Sequence, residues 1–152
     1  MSKQFPLQNL LDLSHTLTDS AARKLGKINA HKMEVEKRLE MLLQYRRDYQ
    51  AKFEQSVKSG LPQEGWRNFR EFMEKLDAAI AQQKKAMHLA IEQTKQGELE
   101  WLNEKRKQQS YDTLSHRHTQ AEARRNARHA QRDQDELAAR SHLAKTASAT
   151  QD

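Results

Sequence analysis

Beginning at Leu7, every seventh position is Leu7, Ser14, Ala21, Ile28, Val35, Leu42 and Tyr49, an apolar row broken mainly at Ser14. A second row falls four residues on, at Leu11, Leu25, Leu39 and Phe53, interrupted by Thr18, Lys32 and Arg46. Leu10, Leu13 and Leu17 widen the stripe near the start. Alternating three- and four-residue steps over about seven repeats give a heptad pattern, which commits the chain to a long helix that pairs with another helix.

The pattern breaks once, at Ser59-Gly60-Leu61-Pro62, and then resumes. Gly60 suits a helix stop and Pro62 a helix start. Beyond the break, Trp66, Met73, Ile80 and Met87 recur at sevenfold spacing, with Phe69, Leu76 and Ala90 on the adjoining row. The seam weakens at Thr94 and Gly97 and recovers at Trp101, Leu102, Tyr111 and Leu114. Gly97 marks either a soft spot or a close approach of the partner helix. A turn near residues 61–62 makes residue i face roughly residue 123 − i, so Leu7 should face about residue 116. The apolar seam does stop at Leu114, and no Val, Ile, Leu, Met, Phe, Tyr or Trp follows until Leu137. A disordered chain has no reason to end its seam where its partner runs out.

The expected fold is therefore all-α: a long two-helix antiparallel coiled-coil hairpin with a polar C-terminal helical overhang. The expected single domain runs over residues 1–152, with helix 1 at about 6–58, the turn at 59–65, helix 2 at about 66–145 and a frayed tail at 146–152. The overhang, from about residue 115, is expected to become ordered mainly on a partner, because an unpaired polar helix is marginal in water.

Composition agrees. Hydrophobic residues make up 36% and charged residues 32%, too little apolar area for a layered core but enough for one stripe per helix. There are no cysteines, which excludes disulfides and thiol chemistry. No run is long and apolar enough to span a membrane and the N-terminus lacks a signal-type apolar segment, so a cytoplasmic protein without a transmembrane segment is expected.

Charge is unevenly spread. The net charge of +6 is carried by Lys105, Arg106, Lys107, Arg117, Arg124, Arg125, Arg128 and Arg132, opposed locally only by Asp112 and Glu122. A solvated helix with a charge bias is the plain account; binding to a protein assembly or to nucleic acid are the sharper ones. Against a basic-region DNA binder, a zipper should follow the basic segment, yet only Leu137 and Leu143 do, and no aromatic is available to stack on bases. His116, His118 and His129 lie in this charged stretch without cysteine or fixed carboxylates, so solvent histidine is expected rather than a metal site. No phosphate loop or nucleophile arrangement is present, and neither enzymatic activity nor a cofactor is expected.

Tyr45, Tyr49, Phe53, Trp66, Phe69 and Phe72, six of the nine aromatic residues, flank the turn. Some must pack the hairpin closed. A two-stranded coil buries one stripe, however, and these residues cover more than one face of each helix, which is how an interface anchor reads.

The segments Ala21-Ala22-Arg23-Lys24-Leu25-Gly26 and Leu39-Glu40-Met41-Leu42-Leu43-Gln44-Tyr45 with Tyr49, and the Gly60…Trp66-x-x-Phe69-x-x-Phe72 turn-and-return, resemble the flagellar export protein FliJ family in order and spacing, across nearly the full length. The resemblance implies a coiled-coil stalk similar to the gamma subunit of a rotary ATPase. It implies as partners a hexameric flagellar export ATPase, whose central hole the paired terminal helices would enter, the cytoplasmic domain of the export-gate membrane protein, and export chaperones. Peripheral association with the inner-membrane export apparatus would follow, with no nucleic acid involved. The gate-facing residues implied are Leu42, Tyr45, Tyr49, Phe72, Leu76 and Ala79; Arg38 and Gln83 depart from the family pattern at the base of this patch. Charge and location nominate Arg23, Lys24, Arg124 and Arg125 for the ring. The rival from a different class is a basic coiled-coil nucleic-acid binder or a scaffold.

Overall fold

The computed structural model describes residues 3–151. Two helices, α1 (Gln8–Lys58) and α2 (Gln63–Ala149), account for nearly all of it and pack against each other as a helical hairpin. Phe5 opens α1, its carbonyl accepting from Gln8 N at 3.1 Å. At the other end the Ser59 and Gly60 amides donate to the Ser56 and Val57 carbonyls, each at 3.2 Å. These short i to i−3 bonds tighten the last turn, and Gly60 ends it with φ +87°, a left-handed conformation that costs glycine little.

Helix α2 starts at Gln63, three residues ahead of the expected Trp66. The Pro62 carbonyl accepts from Gly65 N at 2.9 Å and Trp66 N at 3.4 Å, which closes the first turn earlier. Gly65 leaves room there for Leu61, whose Cγ stands 2.7 Å from where a β-carbon would be.

The helices divide into two compact units. One spans Thr18–Glu104 and contains the turn. Its shielded positions on α1 and α2 are the heptad rows read from the sequence; Val35, Leu76, Ile80 and Ala90 are buried, as is Thr94, whose hydroxyl donates to the Ala90 carbonyl at 2.9 Å. No large side chain is fully buried, which is the expected limit of a seam only two helices wide. Arg46 and Asp77 sit on the 123 − i register and bond at 2.7 Å. Lys24 and Glu100, one residue off it, pair at 3.0 Å. Gln83, one of the departures noted above, donates across the seam to the Val35 carbonyl at 3.0 Å. The Val35 carbonyl, already paired within α1, thereby takes a second bond on its other lone pair, and the Gln83 amide gains a partner inside the seam.

The other unit comprises Met1–Leu17 and Lys105–Asp152. Here Leu11 and Ser14 are buried, the Ser14 hydroxyl donating to the Leu11 carbonyl at 2.7 Å. Phe5 packs its ring against His118 at 5.6 Å, and His15 bonds Asp112 at 3.2 Å. Glu122, only 8% exposed, accepts from Lys3 N at 3.4 Å and from Arg125 at 3.2 Å. The N-terminal residues ahead of α1 thus carry pairing to Glu122, past the expected start of the overhang at about 115. From Ala123 to Gln151 every residue is exposed, and α2 remains helical through Ala149.

Candidate functional site

At the turn, the expected packing and the expected surface belong to different residues. Phe53 stacks on Phe69, with centroids 3.6 Å apart and planes 11° from parallel, and meets Trp66 edge-on at 4.9 Å. Tyr49 lies 5.5 Å from Phe69 and 4.3 Å from Phe72. The edge-on Phe53–Trp66 contact and the wider Tyr49–Phe69 stack are favourable beyond area burial, and together these rings close the hairpin. Phe53, Phe69 and Tyr49 are therefore packing residues.

The excess is what remains outside. Tyr45 is 63% exposed, Trp66 47% and Phe72 37%. Tyr45, Asp48, Tyr49, Lys52 and Phe72 line a shallow open groove on one side of the turn region. Of the six residues nominated for the gate, Tyr45, Tyr49 and Phe72 come together in this groove. Leu42 and Ala79 are half-buried beside the seam. Leu76, at 8% exposure, is part of the seam itself, so it shapes the surface from beneath.

A second groove was not legible beforehand. Arg46, Gln50, Trp66, Arg70, Met73 and Asp77 are among the residues lining it. The available signal was Arg46, a charge on an apolar row. Arginine stays protonated at any working pH, so the seam carries a permanent cation at this point, and the hydrogen bond and attraction from Asp77 raise its pKa further.

The four residues nominated for the ring do not form one cluster. Arg23 and Lys24 belong to the unit containing the turn, and Lys24 is engaged by Glu100. Arg124 and Arg125 belong to the other unit; Arg125 is tied to Glu122, while Arg124 makes no hydrogen bond or ion pair among the described residues. The same unit leaves Leu10, Leu13, Leu17 and Leu114 exposed. His116 bonds Gln120 at 3.2 Å, His118 packs on Phe5, and His129 is exposed. No helix among the described residues is long and apolar enough to cross a membrane.

Similarity to known proteins runs along the whole hairpin. The family described as the flagellar FliJ protein matches residues 2–147. The flagellar FliJ protein of Salmonella typhi is 28% identical over 145 residues, covering 95% of this chain and 99% of that protein. The flagellar FliJ protein of Escherichia coli (strain K12) is 26% identical over 145 residues with the same coverage. With nearly all of both helices, the turn and the whole basic segment inside the match, the chain belongs to the flagellar FliJ protein family and is a flagellar export component.

Proposed function

We propose that this protein is a stalk of the flagellar export apparatus. It binds the cytoplasmic domain of the export-gate membrane protein through the turn and the hexameric export ATPase through the unit holding its two termini. In this reading it promotes ring assembly and hydrolysis, receives export chaperones, and associates peripherally with the inner membrane through these partners. Its work is coupling by binding; differential affinity for partner states is sufficient, and no catalytic residue or cofactor is required.

The observation that carries this reading is the exposure of Tyr45 and Phe72 beside a seam already closed by Phe53 and Phe69. Tyr45, left largely in water, and Phe72, packed on Tyr49 by one side and open on the other, flank one groove, as interface anchors do. Arg23, Lys24, Arg124 and Arg125 remain proposed contacts to the ring.

Co-sedimentation of the gate domain with the assembled ATPase, with and without this protein, tests the proposal. The two should travel together only when the protein is present. A chain that binds neither partner, or that binds both through the same residues, overturns it.

A further inference from the structure

Arg117, Arg124, Arg128 and Arg132 stand in one row on α2. At 100° per residue they fall within a sector of about 80°, and the row is about 22 Å long at 1.5 Å per residue. All four are exposed, and none makes a hydrogen bond or ion pair among the described residues. Arg124 and Arg128, and Arg128 and Arg132, are like charges four apart, which disfavours the helix they sit on. Of the nearby carboxylates, Glu122 is already held by Arg125 and the Lys3 amide, and Asp133, Asp135 and Glu136 cluster past Arg132, beyond the reach of most of the row. At the far end of the row Asp135 accepts from Gln131 at 2.9 Å.

We propose that this arginine row is a docking strip for a carboxylate-lined protein surface. The inference rests on the stalk reading, in which the export ATPase supplies the carboxylates. Three observations select this partner chemistry. Every Lys or Arg between Lys107 and Lys145 is arginine, whose planar fork binds carboxylate in pairs of hydrogen bonds where lysine acts as a point charge. The side of α2 facing away from the row carries Ala123, Asn126 and Ala130, with Leu137 as its one bulky apolar residue just past the row's end, so it lacks the broad apolar face with which a helix enters a bilayer. No aromatic residue follows Tyr111, so nothing is present to stack on bases. Leu114, exposed and within the same sector, supplies an apolar contact where the row begins.

The test is binding of the full chain to the purified export ATPase over a range of salt concentrations. It compares wild type, the quadruple variant Arg117→Gln, Arg124→Gln, Arg128→Gln and Arg132→Gln, and a control of equal charge change, Arg67→Gln, Arg70→Gln, Lys84→Gln and Lys85→Gln. The quadruple variant should lose about tenfold in affinity at low salt and show a flatter salt dependence, as loss of rim charges does. Its helix content by circular dichroism should hold, since the substitutions relieve repulsion. The control should bind as wild type does. Equal binding by wild type and the quadruple variant overturns the docking strip while leaving the stalk intact. Absence of any wild-type binding overturns the ring-side reading and the strip with it. Wild-type binding to anionic vesicles or duplex DNA tighter than to the ATPase, and lost in the quadruple variant, replaces carboxylate by phosphate and overturns the proposal.

Discussion

Gly97 meets Ile28 so closely that a β-carbon on the glycine would stand 3.1 Å from Ile28 Cδ1, and 3.2 Å from Leu25 Cδ1. The weak point of the apolar rows is thus a place where α1 side chains reach the α2 backbone. Alanine at this position gains about 1 kcal/mol of helix propensity and crowds two side-chain ends that must give way. Gly97→Ala should therefore change unfolding free energy by less than about 1 kcal/mol. Gly97→Leu should destabilise by about 1–3 kcal/mol through overpacking. Denaturant unfolding followed at 222 nm distinguishes the two.

Arg46 occupies a seam position and pays for it with Asp77, a half-exposed ion pair. Half-exposed pairs contribute little, and an apolar residue at a seam position contributes more. Arg46→Leu should leave the thermal midpoint unchanged or raise it. What the charge supplies is register, because its other bond, to Gln50 at 3.3 Å, stays on its own helix and Asp77 answers it from the facing one. Cross-linking between cysteines placed at the neighbouring positions Gln50 and Glu74 should become less specific in the Arg46→Leu variant than in the parent.

Gly60 adopts φ +87° with open space where a β-carbon would go. The cost of replacing it is conformational and not steric. Gly60→Ala should destabilise by about 1 kcal/mol, whereas Gly26→Ala, inside α1 with nothing within 4 Å of the added carbon, should stabilise by about 1 kcal/mol. Paired unfolding curves of the two variants check the opposite signs.

Leu76 and Tyr45 were nominated together from the sequence and should separate in the laboratory. Leu76→Ala removes a buried seam side chain and should cost about 2 kcal/mol, the low end for a core leucine because the seam can partly collapse. Tyr45→Ala removes an exposed ring and should fall within about 0.5 kcal/mol of wild type. Thermal melts of the two variants give the comparison directly.

Much of this hairpin was written in periodicity. The rows through Leu7 and Leu11 and those through Trp66 and Phe69 are, apart from Leu7 and Trp66 at their ends, largely the shielded positions of the structure, because a period near 3.5 leaves a helix one face to bury. Gly60 and Pro62 marked the reversal through backbone restrictions that are local and so readable. Two things were not local. The pairing of Lys3 and Phe5 with Glu122 and His118 joins residues more than a hundred positions apart, and no periodic signal extends over a non-helical tail. The division of the aromatics into closing residues and exposed ones depends on ring packing across the turn. Periodicity puts Tyr49 on the sevenfold row and Tyr45 off it, but it does not show that Phe69 and Phe72 both stand within stacking reach of Tyr49.

The most direct measurement uses the double variant Tyr45→Ala with Phe72→Ala, assayed in parallel for binding to the gate cytoplasmic domain and for stimulation of the export ATPase, with circular dichroism alongside. A stalk that addresses its partners through separate surfaces predicts a loss of gate affinity of about tenfold or more, with ATPase stimulation and helix content unchanged. Gate binding equal to wild type, or joint loss of both activities in a chain that remains helical, would contradict it.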